Sequence, residues 1–312
     1  MFSFRRLATT STVATLLLVA IGGLVRATDS GLGCGDDWPD CNGKLIPVLD
    51  ARPVIIEWTH RAVAMIVGFL VLALFLKAFR HFRDRPGLVR LSGAALALVI
   101  FQGLLGRVVV KGELEVLLVV GHLATAMVFL ATLIGVVAAS ARAEGAVDGP
   151  TDPGVFRLAA WAAVAVFVLL VVGSYTSDFG YMPGWPLQQG RIVPNLDTEN
   201  QAVHFLHRTL AGVVAVIVVW VAVQISRRTP AASLAGRLAR VAAALFIAEI
   251  FIGALNVWTA LNPIVVMFHL ATGAGVWAAL VAIAAVTSPA VEHLGATKGV
   301  PGSSTAALEP GR

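Results

Sequence analysis

Charge is scarce in this sequence: 13% of its 312 residues are Asp, Glu, Lys or Arg, while 58% are hydrophobic. Soluble domains carry about 25% charged residues, so the composition excludes a soluble chain of this length. The mean hydropathy of +0.85 excludes it again. No basic run is interleaved with aromatic residues, so the net charge of +5 does not mark a nucleic-acid partner. Cysteine is limited to Cys34 and Cys41. The tail 288–312 has Pro, Gly and Ser without apolar periodicity and carries no motif, which predicts a disordered end.

Apolar runs are present in quantity. Stretches of about 20 such residues, each enough to cross a hydrocarbon core of about 30 Å as a helix, fall near 8–26, 54–76, 88–109, 116–139, 158–175, 200–224, 234–257 and 263–287. They predict an all-α integral membrane protein with eight transmembrane helices in a lipid bilayer. If the N-terminus is inside, most of the 23 basic residues fall in inner loops, and the positive-inside rule then places both termini in the cytoplasm. Positive-inside topology also accounts for the net charge. The first apolar run, preceded by Arg5 and Arg6, has the look of a signal peptide.

An internal repeat argues for its retention. A shift of 147 residues superposes His60 on His207, Arg61 on Arg208, His122 on His269, Trp38-Pro39 on Trp185-Pro186, Gly43 on Gly190 and Gly106 on Gly253. The chain therefore divides into an N-terminal four-helix half (1–139), a cytoplasmic linker (140–157), a C-terminal four-helix half (158–287) and the tail (288–312). An even number of helices per half makes the repeats parallel, related by a pseudo-twofold axis along the membrane normal. The first helix then has a counterpart in the fifth. All four histidines fall one or two turns below the outer surface.

An ionisable residue within a span is a functional hypothesis by default, although a lone histidine can serve simply as an interhelical hydrogen-bond partner. Four at one depth, in two equally spaced pairs, fit a different use. Two facing helices that each present an imidazole can hold a planar macrocycle whose iron takes both nitrogens axially. Zinc fits less well, because it wants three or four ligands per site and each pair supplies two. Gly121, Ala124, Gly273 and Gly275 would let a flat ligand approach the backbones; equally, they suit plain helix packing. Arg61 and Arg208 can snorkel to headgroups or pair with haem propionates.

The halves are unequal. Glu57 lies three residues before His60, on the same helix face with a rise of about 4.5 Å; its counterpart under the shift is His204. A carboxylate beside a haem can take protons or stabilise a developing cation, and it can also form an i to i+4 ion pair with Arg61. Cys34 and Cys41 lie in the first outer loop, on the oxidising side, where a disulfide is expected. Such a bridge can staple the loop or act as an exposed redox pair. Tyr181 and Gln188 replace the cysteines in the second half, so the half with Glu57 is the candidate for chemistry and the other for electron transfer.

The segments "GGLVRATDSGLGCGDDWPDCNG", "EWTHR", "QGLLGRVVV", "GHLATA", "HFLHR" and "FHLATGA", in this order over about 8–287, resemble the haem A synthase family, the bacterial eight-helix type with a cysteine pair in the first outer loop. That resemblance implies an oxidoreductase that converts a methyl substituent of haem O to a formyl group through a hydroxymethyl stage. It implies substrate haem on His60 and His122, Glu57 near the reacting methyl, a haem b cofactor on His207 and His269, and a Cys34–Cys41 disulfide. Implied partners are a haem O synthase, terminal oxidase assembly factors and an electron partner of unknown identity, in a bacterial cell membrane. Two rivals are a quinol-linked di-haem cytochrome and a haem transporter. A cytochrome that spans the bilayer stacks its haems at two depths, whereas these histidines share one; a transporter does not need Glu57 at a single pocket.

Overall fold

The computed structural model describes residues 3–147 and 151–295. Its elements are α1 (Phe4–Ala27), α2 (Arg52–His81), α3 (Pro86–Lys111), α4 (Val116–Ala143), α5 (Pro153–Thr176), α6 (Glu199–Arg228), α7 (Leu234–Trp258), α8 (Pro263–Thr287) and a short α9 (Pro289–Gly295). The helices α1 to α8 are long and apolar enough to cross a membrane, and no strand is found among the described residues. The chain is an all-α, multi-pass membrane protein.

Local sequence explains where these helices start. Pro occupies the first turn of α2, α3, α5 and α8, where its missing N–H costs nothing and its fixed φ suits the helix. Ser3, Asp152, Ser233 and Asn262 accept backbone N–H groups as N-caps of α1, α5, α7 and α8. Thr198 and Gln201 form a reciprocal capping box at α6. Both α2 and α6 have 30 residues, about 45 Å of helix. They exceed the apolar runs at both ends, because polar residues at a helix end can continue the helix in the headgroup region.

Within the first half α1 packs on α2 and α4, and α3 packs on α2 and α4; the same set of contacts recurs among α5 to α8. Across the halves α8 packs on α1 and α4, and α4 on α5. Lipid tails are as apolar as leucine, so close van der Waals fit, not water exclusion, holds such helices together. Small buried residues supply that fit, among them Ala159, Ala162, Ala239, Ala242 and Ala274. Gly23 on α1 is tighter still: a Cβ there would stand 2.9 Å from Leu270 Cδ2 on α8. Large apolar side chains such as Leu17, Phe69, Trp161 and Phe251 point outward, as a lipid-facing surface requires. Arg26 of α1 pairs with Asp178 of the second half at 2.5 Å.

Two boundaries differ from the sequence reading. The connection between the halves is shorter than 140–157, because α4 continues to Ala143, with Ala139 and Ala141 buried, and α5 begins at Pro153. The tail is not disordered from its first residue. Val291 and Leu294 of α9 pack against the cluster that contains Phe4 and Leu88, and Gly87 allows the approach, since a Cβ there would meet Leu294 O at 2.4 Å. A helix of seven residues, about two turns, is too short to register as periodicity. The part of that expectation covering 296–312 lies outside the described residues.

Candidate haem sites

Each histidine of the repeat sits on an even-numbered helix and faces a glycine of the preceding odd-numbered one. A Cβ on Gly22 of α1 would lie 3.2 Å from His60 Cε1, and one on Gly106 of α3 would lie 3.5 Å from His122 Cε1. In the second half Gly173 of α5 opposes His207 Cε1 at 3.0 Å, and Gly253 of α7 opposes His269 Cε1 at 3.2 Å. The ring edges therefore lie against bare backbone. This burial takes in Nδ1 of all four rings, none of which has a hydrogen-bond partner.

The His207 and His269 rings face one another with centroids 6.4 Å apart and planes at 84°. An iron held between two imidazoles by bonds of about 2 Å would set the centroids roughly 6 Å apart. The observed spacing fits that group. Among the described residues no three His, Cys, Asp or Glu side chains converge as a metal site. Of the small residues expected to admit a flat ligand, Gly121 faces open space, whereas Gly273 and Gly275 pack against Leu170 and Leu245 of neighbouring helices.

Glu57 is 3% exposed. Its Oε2 accepts from the Cys34 N–H at 2.7 Å and its Oε1 from the Arg61 guanidinium at 2.5 Å. Arg61 also donates to Asp37 O at 2.7 Å and Asp40 O at 2.6 Å. The ion pair thus fastens the loop between α1 and α2 to α2. Across the repeat His204 Nε2 stands 3.1 Å from Gly180 O, and Arg208 donates to Gly184 O at 2.5 Å and Met182 O at 2.9 Å. Both arginines are loop clamps in this structure.

Cys34 and Cys41 form a disulfide. Their exposures are 0% and 1%, in contact with Val54 and Trp58, so the exposure that a redox-active pair requires is absent. Where the second half has Gln188, that side chain is buried and donates to Gln201 O at 3.0 Å, replacing the covalent bridge with a hydrogen bond to the start of α6. At the rim of the first loop, Asp36 accepts from Lys111 at 2.7 Å. That hydrogen bond and the adjacent positive charge hold the Asp36 carboxyl below the usual carboxylate range.

One polar residue escaped the motif reading. Glu249 of α7 has its Oε1 3.0 Å from His269 Nδ1. An acid inside the run "LFIAEIFIGALN" was its signal.

Residues 5–281 match the model of a family described as cytochrome oxidase assembly protein. The chain belongs to this family. Among its relatives, the heme A synthase of Shouchella clausii is 32% identical over 216 residues, 66% of this chain and 71% of the relative. That of Symbiobacterium thermophilum is 29% identical over 303 residues, 93% of this chain and 97% of the relative. That of Geobacillus kaustophilus is 29% identical over 281 residues, 86% of each. The resemblance carried by the motifs of the two-cysteine loop and the four histidines is the one that these matches show.

Proposed function

We propose that the chain is an oxidoreductase of haem A biosynthesis that converts haem O to haem A. The observation that carries this reading is the ring contact of His207 and His269, with centroids 6.4 Å apart, in a chain whose other half repeats the pair as His60 and His122. His207 and His269 would hold a haem b cofactor. His60 and His122 would bind the substrate, haem O. The positive-inside distribution supports termini in the cytoplasm and haem sites near the outer face of a bacterial membrane.

Oxidation of a porphyrin methyl to a formyl group, counted against water, releases four electrons and four protons and passes through a hydroxymethyl stage. When bound, haem b supplies one-electron transfer. Glu57, one turn before His60, supplies fixed negative charge on the substrate side. It would stabilise positive charge developing at the methyl carbon or take a proton from the attacking water. Arg61 and the Cys34 N–H each hold one of the two carboxylate oxygens in place. Family membership supports partners in terminal oxidase assembly and an upstream haem O synthase; the electron partner is a third.

The test is extraction and chromatography of haem from purified protein co-expressed with a haem O source. Wild type should carry haem b with haem A or the hydroxylated intermediate. Glu57→Gln, which keeps an acceptor for the Cys34 N–H but loses the charge, should accumulate haem O while retaining haem b. Two equivalents of haem b and no haem O chemistry in wild type would instead identify a di-haem electron-transfer protein.

A further inference from the structure

An acidic side chain inside a span has to be used or neutralised, and Glu249 is 13% exposed there. Its Oε1 is at ion-pair distance from His269 Nδ1, 3.0 Å, with the ring N–H not aligned on the oxygen. Its Oε2 is buried without a partner. Gly273, one turn beyond His269, makes the space: a Cβ there would stand 3.0 Å from the same Oε1. The 147-residue shift brings Gln102 to this position in the first half. Gln102 donates instead to the Thr125 hydroxyl, and His122 Nδ1 has no partner. The two histidine pairs therefore differ at one ring nitrogen.

We propose that Glu249 is a positioning residue that accepts the His269 Nδ1 proton in a hydrogen bond and so lowers the reduction potential of the haem held by His207 and His269. The inference rests on the haem b reading above. A neutral imidazole has one donor and one acceptor nitrogen. If Nε2 gives its lone pair to iron, Nδ1 must carry the proton, and the carboxylate can only accept it. An acceptor behind a ligating histidine fixes the ring and raises its basicity, and hydrogen bonding behind an axial ligand is one of the levers a protein has on haem potential. A more basic ligand favours ferric over ferrous iron. Because Gln102 points elsewhere, the first pair lacks this device, and the two haems are set at different potentials.

The test is a spectroscopic redox titration of the purified full chain, wild type beside Glu249→Gln and Glu249→Leu, with ferric low-spin EPR on the same samples. In Glu249→Leu the ferrous to ferric ratio at fixed ambient potential should rise at least tenfold, about 59 mV for one electron. Glu249→Gln, which keeps an acceptor without the charge, should fall between, and the EPR g-anisotropy should change in the same order. A ratio within twofold of wild type in a haem-bearing Glu249→Leu protein overturns the inference. So does loss of haem from both variants, which would assign Glu249 to building the pocket. If His207→Ala leaves haem b content unchanged, the haem b reading itself fails; an unchanged ratio in haem-bearing variants fails this inference alone.

Discussion

At the scale of single residues, the contacts that shape the histidine pairs come from atoms that are missing. Gly22, Gly106, Gly173 and Gly253 let four ring edges lie on backbone. Overpacking at such a contact costs about 1–3 kcal/mol, which converts to roughly a ten- to hundredfold loss of affinity. Gly173→Ala should therefore lower haem b retention through His207, measured as haem per protein after dilution and repurification. Gly103→Ala, on the exposed face of α3 with nothing within 4 Å of the new Cβ, should retain the wild-type amount. The shift of 147 residues pairs Gly106 with Gly253 but not Gly22 with Gly173. The stretch between that glycine and Trp-Pro is four residues shorter in the second half, about one helical turn, so the equivalence is spatial and invisible in the register. The roles of Glu57 and Arg61 were half legible. Their i to i+4 pairing follows from helix geometry, whereas the loop groups that complete it, Cys34 N–H and the carbonyls of Asp37 and Asp40, come from distant backbone.

At the scale of elements, the loop between α1 and α2 is built as a plug on the N-terminal end of α2. The disulfide sits beneath it against Val54 and Trp58, Glu57 and Arg61 hold it from below, and Lys111 of α3 reaches Asp36 from the side. A buried bridge of this kind typically contributes about 2–4 kcal/mol. Cys34→Ser with Cys41→Ser should free the loop, seen as at least tenfold faster limited proteolysis between residues 30 and 50, while haem b at the second pair is retained. Reduction and labelling of the native cysteines should be slow for the same reason, becoming fast only when the protein is denatured. Burial was not readable from spacing: a short, turn-rich segment with two cysteines is equally compatible with an exposed redox pair, and only the packing of Val54 and Trp58 over the sulfurs separates the two. The helix α9 makes a similar point, since its two apolar residues mean nothing until Gly87 provides the surface that receives them.

At the scale of the whole molecule, the halves meet through α8 against α1 and α4, with α4 on α5. The charged contact across them, Arg26 with Asp178, has side chains 29% and 40% exposed; an ion pair so exposed contributes less than about 1 kcal/mol. The fit of Gly23 against Leu270 should matter more. Gly23→Val is expected to destabilise the protein by about 1–3 kcal/mol, and Asp178→Asn by less than about 1 kcal/mol, compared as the loss of ordered helix on heating in detergent. The opposite ranking would place the cohesion of the halves in their charges.

Hydropathy and spacing alone fix an eight-helix membrane protein, its internal repeat, four histidines at matching positions, and a carboxylate three residues before the first histidine, with two cysteines, in one half only. Those properties follow from hydropathy, spacing and residue type, which are local or periodic along the chain. Packing in three dimensions sets which ring edges rest on which glycines, that the disulfide is enclosed, that Arg61 and Arg208 clamp loops, and that Glu249 stands behind His269 while Gln102 turns to Thr125. Each of these depends on the rotation of one helix about its axis relative to another. In a bilayer that rotation is set by the shape fit of side chains across the interface, a quantity that no single segment of sequence contains.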